Sequence, residues 1–285
     1  MHSDGAHVDN IRKVRDTPAV RFALLRRIYF AKGHRGACLI TNVRCRMKLT
    51  HSMILAAGLG TRMLPLTETM PKPLIPVAGK PLIDWNLDWL QAAGLEQVVI
   101  NTSYLADQLE VHLATRVAPR ITLSREGTPA LETGGGIAKA LPLLGDAPFL
   151  TMNADAILLG DEEHPIARME AAWSDDLDFL MLIVPTQHAH GWAGAGDFIM
   201  APDGRIRRPR LGSQAKYVFT GVEIIHPRVF RDCPEGPFSL TKLWKNLETQ
   251  DDWHQRIRAV VYEGAWLNVG DLHGLAEAER YLAKA

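Results

Sequence analysis

The sequence predicts an α/β fold, a Rossmann-like mixed and mainly parallel sheet with helices on both faces. Three observations predict it. Short apolar runs alternate with helical patterns from Met53 to Asp155, which calls for right-handed crossovers and a parallel sheet covered on both sides. Beyond Asp155 the apolar runs follow one another with few helices between them, which predicts a mixed extension of the same sheet. Finally, 285 residues, 47% hydrophobic and 22% charged, suffice for a large core that needs no disulfides.

In chain order, MILAA (53–57) reads as a buried strand, LIDWNLDWLQAAG (82–94) as a helix ended by Gly94, and QVVIN (97–101) as a second strand. ADQLEVHLATR (106–116) is a helix, RITLS (120–124) a strand, IAKALPLL (137–144) a helix interrupted by Pro142, and PFLTMNAD (148–155) a strand closed by an acid. The second half supplies strands at DFLMLIV (178–184), GDFIMA (196–201), YVFTGVEII (217–225) and RIRAVVYEG (256–264), and helices at SLTKLWKNLETQ (239–250) and DLHGLAEAERYLA (271–283). Such sheets bind ligands outside the carboxyl ends of their strands. The loops after Ala57, after Asn101 and around Asp155 are therefore expected to meet.

The 32 basic and 32 acidic residues cancel, and no apolar run approaches the roughly 18 residues of a membrane span. Neither nucleic acid nor membrane is an expected partner. The balance is uneven, however: residues 1–46 carry ten Lys or Arg against three Asp, and residues 47–285 carry 22 basic against 29 acidic. Two of the three cysteines, Cys38 and Cys45, lie in this basic leader, and only Cys233 lies beyond it. Without CxxC spacing they argue against a disulfide framework or a zinc site and for a reducing, cytoplasmic compartment. The leader has no apolar stretch followed by a small-residue cleavage site, so a secretory signal is not expected. It reads as an Arg-rich targeting segment, a nucleic-acid arm, or sequence upstream of a true start at Met47 or Met53. The last is the expectation, with residues 47–285 forming a single domain.

The most informative stretch is LAAGLGTRMLPLTETMPKPLIPVAGKPLI (55–83). Gly58 and Gly60 directly follow a strand, where the backbone can turn sharply and aim N–H groups at phosphate oxygens. Arg62 adds a charged fork for the same anion. Met63 stands where GxGxxG would place its third glycine, which disfavours a dinucleotide fold, and the GxxxxGK[ST] phosphate loop is absent. Pro71 and Pro73 fix the backbone around Lys72, which is otherwise an ordinary solvated loop charge.

With its continuation through PLT and PKPLIPVAGKPLI, the string LAAGLGTRM resembles the signature of sugar-1-phosphate nucleotidyltransferases. The similarity runs from about Met53 to the C-terminus. A second block, LETGGGIAKALPLLGDAPFLTMNAD (131–155), is especially similar to N-acetylmuramate-1-phosphate uridylyltransferases, whereas mannose-1-phosphate guanylyltransferases usually show GTAGA where this chain has Glu132 to Gly136. WLNVGDLHGLAEAERYL (266–282) matches the family's closing block. The length beyond Asp155 resembles members without a C-terminal left-handed β-helix.

The resemblance implies attack of a sugar-1-phosphate oxygen on the α-phosphorus of a nucleoside triphosphate, with release of pyrophosphate. The pair implied first is UTP with N-acetylmuramate 1-phosphate, a reaction of peptidoglycan recycling, with Mg²⁺ as cofactor and a monomer or small homo-oligomer as the working unit. Carried over position by position, Arg62 holds the triphosphate, Lys72 bridges the reacting phosphates and Asp155 binds the metal. Ala56, Ala57, Gly58, Gly60 and Thr61 form the backbone cradle. Glu126 and the turn from Thr133 through Gly134 to Gly136 meet the base and ribose.

Two departures stand out. The family's second metal ligand is an aspartate within WxDxG, where this chain has Asn268, which removes a negative charge and weakens the metal site. Asp271 is either its replacement or the N-cap of the final helix. Ala154 replaces a common glycine, narrowing the approach to the sugar or doing nothing. On the sugar side, Asn153, Gly196, Asp197, Thr220, Gly221 and Glu223 resemble family contacts, although ordinary strand alternation also places polar residues there. Arg208, in Arg207-Arg208-Pro209, resembles a weakened Glu-Lys-Pro motif or belongs to a solvated run with Arg205, Arg207 and Arg210. His188 and His190 lack further ligands at zinc spacing, Cys233 reads as a loop thiol, and Trp85 and Trp89 read as core residues. The alternatives are a mannose-1-phosphate guanylyltransferase and, from another class, a non-catalytic nucleotide-sugar-binding regulator. Asn268 favours the latter; Arg62, Lys72 and Asp155 together favour an enzyme.

Overall fold

Successive residues of a strand point to opposite faces of its sheet, and in this chain both faces are filled with apolar side chains. Met53, Val99, Phe149, Met181 and Ile225 pack on one side with Ile137, Ala140 and Leu243. Ile54, Val98, Ile100, Leu150, Leu182 and Ile224 pack on the other with Ile83, Leu87, Leu109 and Met169. The computed structural model describes residues 47–160, 163–210 and 214–284; the basic leader, with every expectation attached to it, lies outside the described residues.

In chain order the main elements are β1 (His51–Leu55), α1 (Leu82–Ala92), β2 (Gln97–Thr102), α2 (Ala106–Leu113), β3 (Arg120–Arg125), α3 (Glu132–Leu144), β4 (Phe149–Asn153), β5 (Ala156–Leu159), α4 (Pro165–Ala172), β6 (Phe179–Pro185), β7 (Ala189–His190), β8 (Tyr217–Ile225), α5 (Thr241–Glu248), α6 (Trp253–Arg256), β9 (Ile257–Val261), β10 (Ala265–Asn268) and α7 (Leu272–Leu282). Seven strands form one sheet in the order β9-β6-β8-β4-β1-β2-β3. β1 runs parallel to β2 and β4, β2 to β3, and β6 to β9. β8 alone opposes its neighbours β4 and β6. The mixed, mainly parallel sheet expected from the sequence is present.

From β1 the chain moves to β2 and β3 on one side and returns to β4 on the other. That reversal makes the carboxyl ends of β1 and β4 the place where such sheets accept ligands. A second, three-stranded sheet, β5-β10-β7, packs with α7 over a third core containing Met63, Ile75, Leu267, Val269 and Ala278. It delivers the end of β10 to the same corner of the molecule. Among the described residues no helix is long and apolar enough to cross a membrane.

Several local expectations change. The strand expected over 148–155 ends at Asn153, and a turn at Ala154 and Asp155 leads on into β5. The strand expected over 196–201 shrinks to Ile199–Met200, paired with Ile206–Arg207, because Gly196 turns the chain at φ +90° just before it. Pro142 does not interrupt α3, which runs on to Leu144; placed in the last turn, the proline costs the helix a single hydrogen bond, the one to the Ala138 carbonyl. α3 also begins at Glu132, so the segment 133–136 is its first turn and not a loop.

Candidate active site

At the carboxyl ends of β1, β2 and β4 lies a cavity of about 590 Å³. Its floor is the segment after β1, which descends through three short 3-10 turns, Thr61–Met63, Leu66–Glu68 and Lys72–Leu74. Gly60 adopts φ +66°, and a Cβ there would lie 2.8 Å from Thr67 Cγ2, so the sharp turn and close packing both demand glycine. Thr67 Oγ1 donates to Gly60 O at 2.9 Å, pinning the turn. Buried Met63 anchors the segment in the third core, which explains an apolar residue where a dinucleotide loop would carry its third glycine. Ala56, Ala57, Gly58, Gly60, Thr61, Arg62 and Lys72 all line the cavity, and a side chain at Gly58 would meet nothing within 4 Å. Arg62 is exposed and forms no ion pair among the described residues.

Opposite this segment stands Asp155. Its Oδ2 accepts from Lys72 Nζ at 2.6 Å, and the same ammonium donates to Gly270 O at 3.3 Å. The Asp155 carbonyl accepts from Val269 N at 2.9 Å, and β10 pairs Asn268 with Ala156, so Asn268 is clamped next to the acid. Asn268 Nδ2 donates to Gly191 O at 3.2 Å, which fixes which end of the amide is committed and leaves its oxygen as the donor atom for a cation. A carboxylate and an amide oxygen beside a glycine-rich loop form a hard oxygen set of the kind Mg²⁺ takes together with phosphate oxygens. Asp271 is the cap: its Oδ1 accepts from Gly274 N at 2.8 Å at the start of α7. Around His188 and His190, as elsewhere among the described residues, no group of three His, Cys, Asp or Glu could hold a metal.

The third wall is a relay that the sequence did not single out. Asn101, at the end of β2, accepts from Ala56 N through Oδ1 at 2.7 Å and donates through Nδ2 to Glu126 Oε1 at 2.7 Å; Glu126 Oε2 accepts from Leu131 N at 2.8 Å. Its signal was a polar side chain closing a buried parallel strand. Glu126 and Thr133 line the cavity; Gly134 does not. Gly134 N and Gly135 N both donate to Phe238 O, at 2.9 and 3.1 Å, so these amides are not offered to a base. A Cβ at Gly134 would lie 2.3 Å from Phe238 Cε2, at Gly135 2.5 Å from Gly236 O, and at Gly136 2.6 Å from Glu126 Oε1. The triple glycine is there for close packing, and that packing overrides the poor helix propensity of the residues.

Toward α5 a second cavity of about 360 Å³ adjoins the first, sharing Leu55, Thr133 and Asn153 with it. Asp197, Arg208, Gly221 and Glu223 line it, together with Thr151, Ser239, Thr241 and Trp244, which the sequence did not point to. Asp197 Oδ2 accepts from Phe219 N at 2.9 Å. Arg208 lies over the Phe198 ring at 5.5 Å, and its Nε donates to Glu248 Oε1 at 3.2 Å. Gly221, at φ +84°, lets the Asn153 amide lie where a side chain would stand. Thr220 and Gly196 line neither cavity. Thr220 Oγ1 donates to Leu182 O at 2.8 Å where the β8 ladder slips, and a Cβ on Gly196 would press on Ala215 at 2.7 Å.

The remaining candidates are structural. Trp85 and Trp89 are half-buried against the third and first cores, and Trp85 Nε1 donates to Val77 O at 3.2 Å. Cys233 is a partly buried loop thiol whose pKa burial pushes up, away from the reactive range.

The model of the Nucleotidyl transferase family matches residues 51–285. The chain is 43% identical over 239 residues to the N-acetylmuramate alpha-1-phosphate uridylyltransferase of Caulobacter vibrioides, an alignment that covers 82% of this chain and 97% of that one. It is 39% identical over 230 residues to the protein of the same name from Neisseria meningitidis serogroup B, covering 80% and 96% respectively. Its fold matches that of UDP-glucose pyrophosphorylase complexed with UDP-glucose, with a TM-score of 0.67 at 20% identity over 83% of this chain and 99% of the other.

Proposed function

The chain belongs to the nucleotidyl transferase family and is an enzyme, a sugar-1-phosphate nucleotidyltransferase; from that premise we propose that it joins UTP and N-acetylmuramate 1-phosphate into UDP-N-acetylmuramate and pyrophosphate. The observation that carries this substrate pair is the identity to the two uridylyltransferases across nearly their whole length. The proposed setting is peptidoglycan recycling in the cytoplasm, by a monomer or small homo-oligomer.

In this reading an oxygen of the sugar phosphate forms a bond to the α-phosphorus while the bond from that phosphorus to the α,β-bridging oxygen breaks, and pyrophosphate leaves with the electron pair. No enzyme atom is bonded to phosphorus. Catalysis is then positioning and charge neutralisation. The Gly58–Arg62 segment cradles the triphosphate, with Arg62 as its free cation. Lys72, on the wall of the first cavity, offsets the charge that develops during transfer. The family generally uses a divalent ion; here Asp155 and Asn268 would hold Mg²⁺, which when bound neutralises the α-phosphate. Glu126, held by Asn101, meets the base, and the second cavity receives the sugar.

A pyrophosphate-release screen of the four nucleoside triphosphates against a panel of sugar 1-phosphates tests the assignment. The expected maximum is UTP with N-acetylmuramate 1-phosphate. A maximum at GTP with mannose 1-phosphate would overturn the pair and leave the enzyme class standing.

A further inference from the structure

The second cavity contains a buried acid that the transfer chemistry does not use. Glu223 is 1% exposed, and its strand position faces Thr151 on β4 and Met181 on β6. Its Oε2 has no hydrogen-bond partner of good geometry, and the Trp244 indole N–H beside it only partly offsets the effect of burial. The other charged groups on this cavity are spoken for: Asp197 accepts from Phe219 N, and Arg208 pairs with Glu248. An acid buried without a cation is a poor choice for stability, since an apolar residue would fill the same strand position at lower cost. Burial pushes the Glu223 carboxyl well above its usual range and so favours its neutral form. A neutral carboxylic acid has one O–H to donate, and Glu223 is among the residues that line the cavity.

Resting on the reading of this cavity as the sugar side, we infer that Glu223 sets specificity for the sugar phosphate by donating its carboxyl O–H to a carboxylate oxygen on a substituent of the sugar. Only the neutral acid can do so; an ionised Glu223 would repel that group. The residue therefore selects acidic sugar phosphates over neutral ones without touching the phosphorus under attack.

The test compares wild type, Glu223→Leu and Glu223→Gln with N-acetylmuramate 1-phosphate and with N-acetylglucosamine 1-phosphate, which lacks the carboxylate. Glu223→Leu raises KM for the acidic sugar about tenfold and leaves KM for UTP and for the neutral sugar in place. Glu223→Gln, which keeps a neutral donor, brings the rise down to about threefold. In wild type KM for the acidic sugar climbs at alkaline pH as the carboxyl ionises, and in Glu223→Gln it does not. Infrared difference spectra of the whole enzyme should show a protonated carboxyl band that Glu223→Gln removes; a wild type without it overturns the inference even if Glu223→Leu fails to fold. Unchanged KM in Glu223→Leu, or equal damage from Gln and Leu, also overturns it while wild-type turnover keeps the substrate assignment intact. A wild type that turns over neither sugar overturns both.

Discussion

Lys72 Nζ lies 2.6 Å from Asp155 Oδ2, joining segments 83 residues apart at the corner where β1 and β4 end. Both groups are largely shielded, with side-chain exposures of 14% and 23%, so the pair holds the loop and the strand end in a fixed relation before substrate arrives. The lysine is thereby held on the wall of the first cavity; in the proposed reaction it meets the reacting phosphates and the acid's second oxygen takes the cation.

Replacing Lys72 by Ala should lower kcat by about two to three orders of magnitude with little change in KM for UTP, because a preorganised cation acts mainly as charge develops. Arg62→Ala should raise KM for UTP as well. Steady-state kinetics of both variants decide the matter: small, equal effects would make the loop merely structural.

Asn268→Asp adds a carboxylate next to Asp155 and should lower the Mg²⁺ concentration for half-maximal rate. It also deletes the hydrogen bond to Gly191 O and sets two oxygens against each other there, costing about 1 kcal/mol of stability. A magnesium titration and a thermal melt read the two effects separately. An unchanged titration would remove Asn268 from the metal site.

Gly136→Ala places a methyl 2.6 Å from Glu126 Oε1 and 2.9 Å from Asn101 Nδ2. The relay that orients Glu126 must shift. KM for UTP should rise while KM for the sugar phosphate holds, with stability lower by about 1 to 3 kcal/mol despite alanine's better helix propensity. Equal changes in both KM values would argue against Glu126 as the base-reading group.

His226 should make stability fall on the acid side. Burial first, and then the positive Arg228, holds its pKa below the usual histidine value, and its Nδ1 accepts from Arg228 N at 3.2 Å. The unfolded chain binds the proton more readily, so the contribution is complete above about pH 6.5 and is lost as pH falls through the lower folded value. His226→Asn keeps an acceptor at this cap and does not titrate. The drop in Tm between about pH 7 and pH 5 should shrink in that variant; an identical drop would assign it to other groups.

Much of this architecture was legible because each half of the sheet announced itself differently. Buried parallel strands alternating with helices gave β1 to β4, and the glycine-rich segment ending in Lys72 located the cavity. Asp271 was readable either as metal ligand or as cap, and only the bond to Gly274 N separates the two. The triple glycine misled, since glycines usually mark turns; here Phe238, about a hundred residues away in sequence, forces them into a helix by sterics that no local pattern carries. Thr220 had the polarity of a site residue, yet its hydroxyl repairs a slipped ladder. Asn101 and Trp244 were missed because their roles depend on partners distant in sequence.

The central claim is the uridylyl transfer itself, and the most direct measurement is kcat/KM for UTP and for GTP with N-acetylmuramate 1-phosphate, with the product identified by its mass. A site that hydrogen-bonds one base edge leaves buried polar groups unpaired with the other, so UTP should be preferred by about a hundredfold or more, with UDP-N-acetylmuramate as product. Equal use of the two nucleotides, or a product containing guanosine at the higher rate, would contradict the account.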